Sequence, residues 1–185
     1  MPDALDGAGE YPPPEEPAGP FLYFAYGSNL DEARLHMHAP SARLVSIARL
    51  EGYRLAFSIE SKRSWLGGVG DIVRATPVEA SHASEVWGAL WVVNAEHSRA
   101  LDEQEGVFRD PPAYRRLTVE VTTPAGDRVR CRTYQVVTPE PAGFLPSPAY
   151  RDTILRGARA LGLPEAYLAR LEAIEHNGRD GGGAH

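Results

Sequence analysis

The sequence predicts an α+β domain, and three observations lead to that class. Strand-like apolar runs and helix-like segments are mixed without the regular alternation that a parallel, doubly wound sheet requires. Two long strand-like runs flank a Pro-Ala-Gly turn, which is a hairpin signal. Near the C-terminus, two segments carry helix start and stop residues, with Gly162 between them.

The elements follow in order. Phe21 to Tyr26 is a short apolar run and reads as a buried strand. Asn29 to Met37 reads as a helix, with Asn29 as cap and Glu32 completing an Asn version of the capping box. Ala42 to Ser58 reads as one or two strands, broken near Glu51-Gly52. Gly68 to Ala75 and Glu85 to Val93 are strand-like. Asn94 to Glu105 reads as a helix, capped by Asn94 and stopped by Gly106. Tyr114 to Thr122 and Asp127 to Val137 form the hairpin. Helices then run from Pro148 to Leu161 and from Pro164, in the first turn, to near Glu175. Residues 1–20, rich in Pro, Gly and Glu, read as a disordered tail. Residues 177–185 carry the Gly181-Gly182-Gly183 run and read as a second tail, leaving one domain over 21–176.

Composition excludes several classes. A chain of 185 residues, 43% hydrophobic, suits one globular core. No apolar run approaches the roughly 20 residues of a membrane span, and no basic segment opens a signal peptide. A single cysteine points to a reducing, cytoplasmic setting. The formal charge of −6 argues against a general nucleic-acid binder.

Two stretches carry candidate chemistry. In "YFAYGSNL" a strand ends at Gly27-Ser28-Asn29 and feeds a helix start, which aims free backbone N–H groups outward. Gly27 allows close approach of a ligand. The turn therefore reads either as a simple capped helix start, the commoner case, or as a cradle for a carboxylate or oxyanion. In "RALDEQEGV", at about 100° per residue, Glu105 lies about 40° from the core residue Leu101, and Glu103 about 200° away. Asp102 and Gln104 flank. Glu105 is then either an inward carboxylate with a raised pKa, suited to general-base work, or an acid fraying into water.

Other constellations read as structure. His36 and His38 sit on different helix faces, so no metal site is expected there. Cys131 alternates with Val129 and Thr133 on a core face, opposite a solvated face of Arg128, Arg130, Arg132 and Tyr134, from which Arg132 could serve an anionic ligand. Gly67-Gly68-Val69-Gly70 lacks the residues of a phosphate loop, and Ser28 lacks those of a nucleophile elbow.

"FAYGSNL", "LDEQEGV" and "VWGALWVVN" together resemble the gamma-glutamylcyclotransferase family. The resemblance runs from Phe21 to about Asn177 through "ARLEGYRLAF", "GGVGDI", "CRTYQVV", "PSPAY" and "GLPEAYLARLEAIE". It implies a small mixed β-barrel with flanking helices, and cleavage of a γ-glutamyl amide to 5-oxoproline and a free amine. It implies Glu105 as the catalytic acid–base, and Tyr23, Phe24, Ala25, Tyr26, Gly27, Ser28, Asn29, Tyr114 and Tyr150 as substrate-binding residues. No metal or cofactor is implied. The partner is a small γ-glutamyl molecule, with no nucleic acid or membrane and with a homodimer left open. Asn29 is similar to the γ-glutamyl-amino-acid branch, not the glutathione branch. "FRDPPAYRR" departs from the family as a longer, proline-rich connection. Two rival readings stand: a biosynthetic cyclotransferase acting on a larger metabolite, and a non-catalytic binder on the same fold.

Overall fold

The computed structural model describes residues 14–78 and 84–179. Most of the predicted N-terminal tail, residues 1–13, and residues 180–185 of the C-terminal one lie outside them. The strands are β1 (Phe21–Ala25), β2 (Arg43–Glu51), β3 (Tyr53–Ser61), β4 (Gly67–Arg74), β5 (Glu85–Val93), β6 (Tyr114–Thr122) and β7 (Arg128–Val136). The helices are α1 (Glu32–His36), α2 (Ser98–Gln104), α3 (Pro148–Leu161) and α4 (Glu165–Glu172).

Five strands close a barrel in the order β1-β5-β2-β6-β7, and β3-β4 form a separate two-stranded sheet. All pairings in the barrel are antiparallel except β1 with β7, where Tyr23 lies opposite Arg132. The barrel is therefore mixed, as the resemblance implied. Alternation along the strands separates two cores. Phe24, Leu50, Leu90, Val121 and Cys131 come from all five barrel strands and fill one of them. Tyr23, Ala25, Trp91 and Tyr134 belong to the other, beneath α2, α3 and α4. Closure removes the exposed edges that would otherwise pair with another chain. Among the described residues no helix is long and apolar enough to cross a membrane.

The strand expectations hold closely. The run from Ala42 resolves into β2 and β3, and Gly52 makes the turn between them at φ 79°. Gly106 and Gly162 end their helices at φ 68° and 72°. The helix expected from Asn29 differs. Residues 28–30 form a single 3₁₀ turn, and α1 begins only at Glu32. Asp31, not Asn29, caps α1, accepting from the N–H groups of Ala33 and Arg34. Asn29 is 3% exposed and turns inward, because Asp31 provides the cap nearer the helix. Asn94 likewise makes no side-chain cap; a 3₁₀ turn at 95–97 precedes α2. The solvated arginine face also holds only in part. Arg128 and Arg130 are exposed, whereas Tyr134 is buried and Arg132 is covered by α2.

Helix α3 rests directly on the 28–30 turn. Gly157 makes this possible: a Cβ there would lie 2.3 Å from the Leu30 carbonyl carbon and 2.4 Å from the Asp31 nitrogen, both backbone atoms. Gly157→Ala should therefore push α3 off the turn and cost about 1–3 kcal/mol. A denaturant titration against wild type measures it; unchanged stability would show that the two elements are not in tight contact.

Candidate active site

The 28–30 turn, the end of α2, the strand β4 and the start of α3 converge on one cavity. Its outer cleft has a volume of about 610 Å³. Ser28, Glu105, Tyr114 and Tyr150 line both this cleft and an inner recess of about 40 Å³. Tyr23, Tyr26, Gly27, Asn29, Gly70 and Tyr134 complete the recess.

Glu105 is the C-cap residue of α2, and its N–H bonds to Leu101 O at 3.1 Å. Leu101 is fully buried and Glu103 exposed, as the helix geometry requires. Burial pushes the Glu105 carboxyl up to about 7; Arg34 and Arg109 pull it down, and Asp102 pushes it further up. Its Oε1 lies 3.5 Å from Asn29 Nδ2. Asn29 and Gln104 exchange a pair of amide hydrogen bonds at 3.2 and 3.1 Å, and Asn29 also donates to the Tyr23 hydroxyl at 3.1 Å. This fastens the turn to the end of α2, beside Glu105.

Three of the recess tyrosine hydroxyls donate to groups of the scaffold. Tyr114 donates to Gly70 O at 2.6 Å, Tyr26 to Tyr134 O at 2.6 Å, and Tyr134 to Asp102 Oδ1 at 2.6 Å. Their protons are committed to the scaffold. Tyr150 differs, since its oxygen accepts the Gly70 N–H at 2.8 Å. Its own proton is left for the cavity. Burial pushes the Tyr150 phenol up to about 12, so it stays a hydrogen-bond donor at neutral pH. Gly27 is glycine for space: a Cβ would stand 3.0 Å from the Tyr150 hydroxyl.

Tyr23, Tyr26, Gly27, Ser28, Asn29, Glu105, Tyr114 and Tyr150 are thus brought together. Phe24 and Ala25 are not. Phe24 is fully buried in the core shared by the barrel strands, and Ala25 packs in the other core; neither lines the cavity. They border the motif in sequence only. Asp102, expected merely to flank Glu105, is fully buried and holds Arg116, whose Nε lies 2.9 Å from Oδ1. Arg132 lies 3.8 Å from the same carboxylate, so it pairs with an internal anion and not with a ligand in the cavity. Cys131 is buried, and burial pushes its thiol up to about 12, which suits packing and not attack.

Arg34, Trp65, Gly70 and Gln104 also belong to the site and were not anticipated. Arg34 Nε donates to Ser28 Oγ at 3.1 Å, and its guanidinium lies 4.6 Å from the Trp65 ring centre. Burial lowers its pKa. Gly70 had a visible signal, the "GGVG" run, which fits a close backbone approach. Among the described residues, no three or more His, Cys, Asp or Glu are grouped to hold a metal ion.

The comparisons agree with this geometry. The AIG2-like family matches residues 85–171. A solved structure titled "Gamma-glutamyl cyclotransferase" superposes with a TM-score of 0.80 at 37% identity, covering 90% of this chain and 94% of that one. Gamma-glutamylcyclotransferase from Mus musculus is 41% identical over 85% of this chain and 80% of its own length. The Homo sapiens protein of the same name is 40% identical over the same shares. The closed barrel and its cavity put the chain in the fold class of that solved gamma-glutamyl cyclotransferase. Within that class, the chain belongs to the gamma-glutamylcyclotransferase family.

The raised Glu105 pKa has a consequence for stability. The folded value near 7 stands above the ordinary 4.5, so the folded state favours the proton. That stabilisation is complete below 4.5 and is lost as pH rises through 7. Glu105→Gln should therefore melt above wild type at pH 8, with the gap closing towards pH 4.5. Melts across that range check it; a gap independent of pH would contradict the buried-carboxyl account.

Proposed function

We propose that this chain is a gamma-glutamylcyclotransferase that releases 5-oxoproline and a free amino acid or amine from a γ-glutamyl amide. The observation that carries the reading is Glu105: a carboxyl near pKa 7, opening into the same cavity as the Tyr150 hydroxyl and the Gly27-Ser28 turn.

The substrate supplies its own nucleophile. Three carbons separate its α-amine from the γ-carbonyl carbon, and attack closes a five-membered lactam. Folding the glutamyl chain into the recess makes that attack intramolecular, which removes much of the entropic barrier. Glu105, ionised, takes a proton from the α-ammonium. The freed amine adds to the γ-carbonyl carbon, and the carbonyl electrons move to oxygen. The Tyr150 O–H, whose oxygen is held by the Gly70 N–H, supplies the donor for that oxyanion. Glu105 then passes a proton to the amide nitrogen, and the C–N bond breaks. In all, two protons leave the attacking nitrogen and two reach the departing ammonium. No water is consumed, and no metal or cofactor enters the balance.

Arg34 is assigned to the substrate's α-carboxylate. It lines the cleft beside Ser28, is held in place by Ser28 and Trp65, and presents a fork suited to a carboxylate. The substrate is then fixed at three points: carboxylate on Arg34, ammonium on Glu105, carbonyl on the Tyr150 side. The non-catalytic rival has no use for a carboxylate tuned to neutral pH.

Glu105→Gln keeps the shape of the side chain and cannot accept a proton, so kcat should fall about 10²–10⁴-fold. N-acetylated γ-glutamyl-alanine, whose amine is blocked, should release no alanine. The assay is 5-oxoproline and alanine by mass spectrometry. Wild-type rates in the variant, or cleavage of the blocked substrate, would overturn the cyclisation reading.

A further inference from the structure

The recess, at about 40 Å³, is the small inner part of the cavity, and the outer cleft, at about 610 Å³, is the part that lies beyond it. Whatever is attached to the γ-glutamyl group must extend into the outer cleft. That cleft is lined by four cationic side chains, Arg34, Lys62, Arg63 and Arg109, against two acids, Glu60 and Glu105. Glu60 is itself 3.7 Å from Arg179. The chain as a whole carries −6, so a cationic cleft runs against its overall charge.

Several arginines elsewhere are neutralised: Arg116 by Asp102, Arg156 by Asp31, Arg159 by Glu172. Lys62, Arg63 and Arg109 form no ion pair among the described residues. Lys62 and Arg63 sit on the turn between β3 and β4, and Arg109 comes from the proline-rich connection after α2. Arg109 is not a loose arm at its base. Its N–H and that of Ala113 both bond to Gly106 O, at 3.3 and 3.0 Å, and its side chain packs back over Gly106. With Arg34 taken by the glutamyl α-carboxylate, three cations still face the departing group.

A neutral amine gives these cations nothing to bind, and a simple amino acid offers one carboxylate. We propose that Lys62, Arg63 and Arg109 select departing groups with two carboxylates, so that the favoured substrates are γ-glutamyl amides of acidic amino acids. This rests on the cyclisation reading, because that chemistry decides which end of the substrate lies outward.

The test compares γ-glutamyl-glutamate with γ-glutamyl-glutamine. The two departing groups match in shape and differ by one charge. The readout is the ratio of kcat/KM values, followed as 5-oxoproline. Arg109 also acts on the Glu105 pKa, but that effect is common to both substrates and cancels in the ratio. Exposed charge pairs are individually weak and screened by salt, so wild type should prefer the glutamate conjugate by about three- to tenfold. The ratio should fall towards one in Arg109→Gln, in the double variant Lys62→Gln/Arg63→Gln, and in wild type at high salt. A thermal melt confirms that each variant is folded.

A wild-type ratio at or below one, with both substrates cyclised, would overturn this inference and leave the cyclisation reading intact. A preference untouched by all the variants and by salt would overturn the assignment to these residues. Absence of 5-oxoproline from both substrates would overturn the cyclisation reading, and this inference with it.

Discussion

The site depends on one buried ion pair. Asp102 is fully buried on α2 and faces Arg116 of β6 and Tyr134 of β7. Ser98, a turn earlier, accepts from both Arg116 and Arg132, at 2.9 and 3.0 Å. These bonds fasten the helix to two barrel strands at once. Glu105 is the next residue but two, at the point where the helix stops, so its place over the recess follows from the grip on Asp102. Desolvating two charges is expensive, and such a pair adds little net stability compared with an apolar contact. Its value lies in geometry: removing one partner strands the other, at a cost of about 3–5 kcal/mol, so α2 has one seat on the barrel.

A second buried acid does the same for the opposite wall. Asp71 of β4 accepts the N–H groups of Ile72 and Val136 and the hydroxyl of Ser58, and Gln135 donates to Ile72 O. The two-stranded sheet is thereby joined to β7, and Gly70 is presented to Tyr114 and Tyr150. Burial raises the Asp71 pKa, with these hydrogen bonds acting against it. The contrast with Glu105 is informative. Asp102 and Asp71 are saturated by donors and hold walls in place. Glu105 has only a long contact from Asn29, and so its carboxyl is left to exchange protons. A buried carboxylate performs scaffold work or chemistry according to how many donors reach it.

The inward placement of Glu105, the acid–base proposed above, was legible in the sequence because two local signals agree there; its role came from the family resemblance. Helical spacing turned Glu105 to the Leu101 face, and Gly106 marked the end of the helix. The glycine turn was legible for the same reason, as a local junction between a strand and a helix-like segment. What could not be read locally was set by residues far apart in sequence. Asn29 has the right identity for a cap, yet its partners Gln104 and Glu105 lie 75 and 76 positions away and draw it inward. Asp102 looked like a flanking acid because its cations, Arg116 and Arg132, sit on later strands. Phe24 and Ala25 looked like site residues because they adjoin the motif, but the pleat and the barrel closure turn them into the two cores. Arg34 had no signal at all, since the helix it occupies is only five residues long and its role comes from Trp65 and Ser28.

The central claim is that the substrate's own amine displaces the departing group, with no water in the bond-making step. Single turnover of γ-glutamyl-alanine in H₂¹⁸O tests it most directly. The account predicts 5-oxoproline whose oxygens all come from the substrate, with no free glutamate formed. Labelled glutamate as the first product, with an ¹⁸O atom in its γ-carboxylate, would show attack by water and contradict the mechanism.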